Sequence, residues 1–265
     1  MAAPAVDAGG AEPLCSRPHR STRGETLATF VFVPGAWHAG WCWERVTPLL
    51  AAAGHRVVTP DLAGSGSDPT PPSTVTLAGW ADQMADIVRR QDEPVVLVGH
   101  SRGGIVISET AERVPERIRS LVYLAAFLVP DGETVMTTSA KFPYTRVGEA
   151  LVAGLEGTTT VRREEVGPIF YNTTEPAWVR RAEDRVGAEP MQAFVTPLAL
   201  TAERYGAVAR AYIECSRDTA IPIALQRLMR EALPCDPVYT LEADHSPFYS
   251  DPAGLVRCLG EIAAG

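Results

Sequence analysis

Lysine is almost absent from this sequence of 265 residues. Lys141 is the only one among 24 basic residues, which face 32 acidic ones and leave a formal charge of −8. Nucleic acids and anionic membranes are bound through clustered Lys and Arg, so this balance gives neither a foothold. Long apolar runs are missing too. No stretch reaches the 18 residues that a membrane-spanning helix needs. The first residues, 1–24, are rich in Ala, Pro and Gly without an apolar run of signal-peptide length, and are expected to form a disordered leader. Cysteine is sparse and unpatterned. Cys15, Cys42, Cys215, Cys235 and Cys258 make no C-x-x-C pair and have no histidine at ligand spacing, which points to reduced thiols in a cytoplasmic protein without a metal site or cofactor. No repeat of fixed period is present.

What is there has the composition of a globular protein, with 46% apolar and 21% charged residues and enough chain for one large core plus an inserted subdomain. The strongest signal is Val95 to Ser108. An unbroken apolar strand enters Gly99-His100-Ser101-Arg102-Gly103, a G-x-S-x-G pattern, and leaves as a small-residue helix start. A serine on so sharp a turn needs flanking glycines, because a side chain there would strike the strand or the helix. Its place at a helix N-terminus surrounds it with unpaired N–H groups that favour negative charge. Ser101 is therefore the candidate nucleophile.

In chain order, Leu27–Val33 reads as a strand ending in the Pro34-Gly35-Ala36-Trp37 turn. A helix over Trp41–Leu50, a strand over Arg56–Thr59 and an amphipathic helix over Leu77–Arg90 come next. Ser120–Val129 reads as a second central strand buried on both faces. From residue 131 to 210 short helical stretches such as Pro176–Arg185 occur without a strong strand, which suggests a helical cap inserted between 25–130 and 211–265 of one core. The strand pattern returns at Tyr212–Cys215 and Val238–Leu241, with helices over Pro222–Leu233 and Pro252–Ala263. Strand, helix, strand order implies right-handed parallel crossovers, with ligands at the carboxyl edge of the sheet.

A serine hydroxyl needs a base. Of five histidines, His19 lies in the leader, His55 in a turn before a strand, and His100 points away from its neighbour. His38 follows the first strand and is a candidate for the pocket wall. His245 follows the last strand, at the edge that carries Ser101, and is the expected base. A carboxylate must hold its tautomer. Asp218, after the preceding strand, is best placed; Asp131 is the rival, and Asp244 is too close in sequence to reach round the ring. The amides of Ala36 and Arg102 are the expected oxyanion donors. The Arg102 side chain puts a cation at the mouth of the site, either to meet a substrate carboxylate or to solvate its head.

These residues resemble the α/β-hydrolases, and within them the branch of plant hydroxynitrile lyases, plant methylesterases and bacterial esterases of the pyrethroid-hydrolase type. The likeness covers nearly everything after Leu27. It rests on Phe32 to Trp43, Ala53-Gly54-His55-Arg56-Val57 and Arg217 to Pro222, beside the serine motif. It implies a mostly parallel sheet flanked by helices with a cap, and the triad Ser101, Asp218 and His245. Lyases of the branch have a threonine at Gly35 and a lysine at Ser246; both are missing here, so the resemblance implies hydrolysis. The reading is a cofactor-free serine carboxylesterase acting on a small apolar or aromatic ester. Gly35, Trp37, His38, Phe142, Tyr144, Phe170, Tyr171 and Phe248 are expected to form the substrate pocket. Two other readings stand beside it: a biosynthetic acyltransferase, passing the acyl group to an amine, alcohol or carrier thiol, or a thioesterase, with the same triad; and a non-catalytic ligand receptor on a hydrolase scaffold.

Overall fold

The apolar runs become the strands of one sheet. The structure is a computed structural model that describes residues 27–142 and 146–265. The leader, Cys15, His19 and Tyr144 lie outside the described residues. The first half runs β1 (Thr29–Val33), α1 (Thr47–Ala52), β2 (Arg56–Val58), α2 (Leu77–Arg89), β3 (Val95–His100), α3 (Gly103–Arg113) and β4 (Ile118–Leu124). An insertion comes next, with α4 (Val135–Ser139), α5 (Val147–Ala150), β5 (Leu151–Ala153), β6 (Thr158–Val161), α6 (Arg163–Phe170), α7 (Pro176–Glu183), β7 (Glu189–Pro190) and α8 (Gln192–Val195). The chain then rejoins the core through β8 (Arg210–Cys215), α9 (Ile223–Ala232), β9 (Val238–Leu241), α10 (Pro247–Ser250) and α11 (Pro252–Ala264).

The main sheet has the order β2-β1-β3-β4-β8-β9, and every neighbouring pair is parallel. β3 is buried at all six positions, because helices cover both faces of such a sheet and neither face can be polar. β2 and β9, at the edges, keep partly exposed residues. α2 shows how the flanking helices form. Leu77, Trp80, Ala81, Met84, Ala85 and Val88 make one apolar face at helical spacing, and the Thr76 hydroxyl caps the start by accepting from Gly79 N at 3.0 Å. No helix among the described residues is long and apolar enough to cross a membrane.

Three expectations are corrected. The helix expected over Trp41–Leu50 is a 3-10 turn, Gly40–Arg45, followed by α1, since Pro48 has no N–H and is tolerated only in the first turn of an α-helix. The strand expected over Ser120–Val129 stops at Leu124, where Ala125 turns left-handed at φ 42°. The insertion has the expected helices but also strands: β5, β6 and β7 form a three-stranded antiparallel sheet. Strands of two to four residues are too short to show an alternating pattern in sequence. They pair because Glu156 and Gly157, at φ 52° and 78°, reverse the chain between β5 and β6.

Candidate active site

Ser101 sits between β3 and α3 with φ 53°, in the left-handed region that costs a residue with a side chain about 1–3 kcal/mol. The surrounding backbone holds it there. Ser101 N–H donates to Leu124 O at 3.3 Å, and Ser101 O accepts from Gly104 N at 3.1 Å and Phe127 N at 3.0 Å. The glycines are required by contact. A Cβ on Gly99 would lie 2.7 Å from Gly103 O, and one on Gly103 2.7 Å from Val33 O. One on Gly35 would lie 2.7 Å from His100 Nδ1 and 2.9 Å from Ser101 Cβ. The turn therefore packs directly on the loop after β1.

β8 and β9 are parallel neighbours, so the loops that follow them leave the sheet at the same carboxyl edge as Ser101. One carries Asp218 and the other His245, both buried. His245 Nδ1–H donates to Asp218 Oδ2 at 2.8 Å. Asp218 Oδ1 accepts from the amides of Ala220 and Ile221, each at 2.8 Å, and Oδ2 also accepts from Gln226 Nε2 at 3.2 Å. With Nδ1 protonated toward the carboxylate, Nε2 of a neutral His245 is left as an acceptor. The ring stands 5.6 Å from Phe170 and 4.6 Å from His100, whose Nε2–H donates to the His245 carbonyl at 2.7 Å. Burial holds the His100 ring far below the usual histidine range, and the neighbouring His245 adds to the shift, so His100 serves as a neutral prop. The Ser101 hydroxyl makes no hydrogen bond among the described residues; such bonds commonly tighten only when substrate is bound. The rival carboxylates are committed elsewhere. Asp131 accepts from Leu200 N at 2.7 Å. Asp244 takes Thr173, Thr174, Ser246 and Ser250, tying the insertion to the loop after β9.

Ala36 and Ser101 line the same cavity, and no acceptor among the described residues takes the amide of Ala36 or of Arg102. The Arg102 side chain corrects the expectation that it reaches the mouth. It is fully enclosed, lies 4.2 Å over the Trp80 ring, and donates through Nε to Glu189 Oε1 at 2.8 Å and through Nη2 to Gly35 O at 3.2 Å. No substrate carboxylate can reach it. Glu189, on β7, is buried as well and accepts from Trp37 N at 3.1 Å. Burial raises its carboxyl above the ordinary range, against the pull of Arg102 and the Trp37 amide. A lone glutamate in the insertion carries no motif, and sequence reasoning missed it.

Residues 30–257 match the model of the alpha/beta hydrolase family. The chain belongs to this family. It is 31% identical to the putative chloroplastic methylesterase 11 of Arabidopsis thaliana over 88% of its own length, but spans only 63% of that longer protein. It is also 31% identical to the pyrethroid hydrolase of Sphingobium wenxiniae, covering 90% of this chain and 88% of that one. The solved structure of polyneuridine aldehyde esterase superimposes with a TM-score of 0.81 at 26% identity, covering 89% of this chain and 99% of that one.

In this hydrolase the space beside Ser101 is a cavity of about 180 Å³. Trp37 and Phe170 line it as expected, but the rest of the wall comes largely from elements the sequence reading did not assign: Phe127, Leu151, Met191, Phe194 and Ile221 among them. Among the described residues no charged side chain lines it. Gly35 lies beneath Ser101 rather than in the wall. His38 and Tyr171 are also corrected, since they form a buried pair behind the wall. His38 Nδ1–H donates to Ala36 O at 2.7 Å and Nε2 accepts from Tyr171 O–H at 2.6 Å, while burial pulls the imidazole down to about 4. Phe248 is core, packed 5.1 Å from both Trp43 and His100. Phe142 packs against the core without reaching the cavity.

Proposed function

We propose that this protein is a serine carboxylesterase for small, neutral esters with an apolar or aromatic group. Ser101 Oγ adds to the ester carbonyl carbon as His245 Nε2 takes its proton, and the carbonyl electron pair moves onto oxygen, facing the amides of Ala36 and Arg102. Collapse of this adduct expels the alkoxide, which His245 protonates. Water, deprotonated by His245, then attacks the acyl-serine, releases the acid and restores Ser101. Two observations support the reading: the fully satisfied Asp218 accepts Nδ1–H of His245, and Ser101 is held left-handed on the turn after β3, at the same carboxyl edge of the sheet. An apolar cavity of about 150 Å³ takes a benzene ring, so the uncharged space here suits one aromatic group or a short chain. The methylesterase and pyrethroid hydrolase relatives support ester chemistry. Gly35 counts against the lyase reading: at a threonine the Cβ alone would crowd His100 and Ser101. The four cysteines among the described residues, Cys42, Cys215, Cys235 and Cys258, are free thiols and support a reducing, cytoplasmic setting.

The test is turnover of p-nitrophenyl, methyl and aryl esters, each with a neutral and a carboxylate-bearing version, with and without added alcohol or thiol acceptors. Neutral apolar esters are hydrolysed fastest, and Ser101→Ala lowers kcat by at least about 10³-fold. Ser101→Ala turnover near that of the wild type refutes the mechanism, and faster acyl transfer than hydrolysis replaces it with the acyltransferase reading.

A further inference from the structure

Arg102 and Glu189 form the only arginine–carboxylate pair among the described residues in which both side chains are enclosed, at 0% and 1% exposure. A buried pair of this kind is rarely kept for stability, because apolar residues of similar volume serve as well or better. What the pair grips gives it another use. Arg102 Nη2 donates to the carbonyl of Gly35, and Glu189 Oε2 accepts the N–H of Trp37. In a trans peptide the C=O and N–H point in opposite directions within one plane, so the guanidinium that holds the Gly35 carbonyl also aims the Ala36 N–H. The next peptide is held by Glu189, and Trp37 O accepts from Gly187 N at 2.9 Å, which keeps Trp37 at a φ of 62° that a tryptophan adopts only under constraint.

We infer that the Arg102 side chain and Glu189 are positioning residues of the oxyanion hole. Arg102 gives one donor from its own amide and aims the other through its guanidinium. Glu189, delivered by β7, fixes both that guanidinium and the loop after β1. The hole is therefore complete only when the third strand of the insertion is docked, and the insertion acts on the chemical step as well as on substrate choice. The inference rests on the proposed roles of the Ala36 and Arg102 amides.

Two variants test it, Glu189→Gln and the double variant Arg102→Met with Glu189→Met. The double leaves no buried charge unpaired and is expected to unfold at or above the wild-type temperature. In both variants kcat falls on the order of a hundredfold, the usual loss for one oxyanion donor, while KM stays within about twofold. An alkyl trifluoromethyl ketone, whose carbonyl carbon accepts Ser101 Oγ and whose oxygen becomes the oxyanion, binds more weakly by the same factor as kcat/KM falls. The methyl ketone of the same chain binds as it does to the wild type. Wild-type kcat in the folded double variant overturns the inference. So does a loss shared equally by the two ketones, which marks a collapsed cavity. Failure of the serine mechanism itself is read separately, from turnover by Ser101→Ala.

Discussion

Asp218→Asn removes one charge and almost no volume, and the hydrogen bonds around Asp218 decide its effect. All four acceptor positions of the carboxylate are filled: two by the amides of Ala220 and Ile221, one by Gln226 and one by His245. Gln226 cannot turn round, because its Oε1 accepts from Cys215 N while Nε2 donates to Ile221 O. An asparagine NH₂ in the Oδ1 position would face two backbone N–H groups that cannot reverse, at about 1–3 kcal/mol for each buried donor left unpaired. In the Oδ2 position it faces Gln226 and a histidine, and a histidine can change tautomer. The introduced amide therefore turns its NH₂ toward His245, the ring proton moves to Nε2, and the nitrogen that should accept from Ser101 becomes a donor. The expected result is a fall in kcat on the order of 10⁴-fold with a stability loss of only about 1–3 kcal/mol. Pre-steady-state and steady-state hydrolysis of a p-nitrophenyl ester reads the first, and urea unfolding the second. Asp131→Asn is the control: it weakens the bond from Leu200 N and leaves kcat near wild type. Retention of more than about a tenth of kcat by Asp218→Asn, or an equal loss in Asp131→Asn, refutes the tautomer argument.

The sheet and the loops that carry residues 101, 218 and 245 were legible because each is fixed by a local rule. A strand covered on both faces must be apolar throughout, so Val95–His100 announces itself, and Val238–Leu241 falls where the sequence puts it. Successive strands of a parallel sheet present their following loops on one edge, which puts 101, 218 and 245 at that edge without any knowledge of packing. The misreadings arise where a long-range partner decides. An arginine is nearly always solvated, so Arg102 reads as a surface cation until Glu189, 87 positions on, encloses it. His38, Tyr171 and Phe248 are apolar or aromatic whether they line a cavity or fill the core behind it, and residue type does not separate the two. The insertion hid its sheet because pairing of Thr159 with Glu189 depends on contact between segments, not on periodicity in either.

Two further outcomes concern stability. A Cβ on Gly104 would overlap the Phe127 carbonyl, so Gly104→Ala pushes the loop after β4 away from Ser101 and destabilises by about 1–3 kcal/mol in urea unfolding; Gly260→Ala on α11, where a Cβ meets nothing within 4 Å, is the neutral or stabilising control. The second outcome is loss of stability on mild acidification. His38 is held neutral, its value pulled by burial from 6.5 to about 4, and burial pulls His100 in the same direction. Between those limits the unfolded chain binds protons that the folded one refuses, so the stability contributed by neutral His38 is present in full above 6.5 and drains away as the pH falls toward 4. At pH 5, about 1.5 units below the unfolded value and still above the folded one, protonation favours the unfolded chain by about 2 kcal/mol. Carboxylates such as Glu44 and Glu214, held below the usual range, lose their contribution only at lower pH. A fall in Tm between pH 7 and pH 5 is therefore a histidine signal; the raised Glu189 carboxyl acts in the opposite sense, so the signal is read in the double variant Arg102→Met with Glu189→Met, where a flat Tm across that window rejects the assignment of His38 and His100 as buried neutral rings.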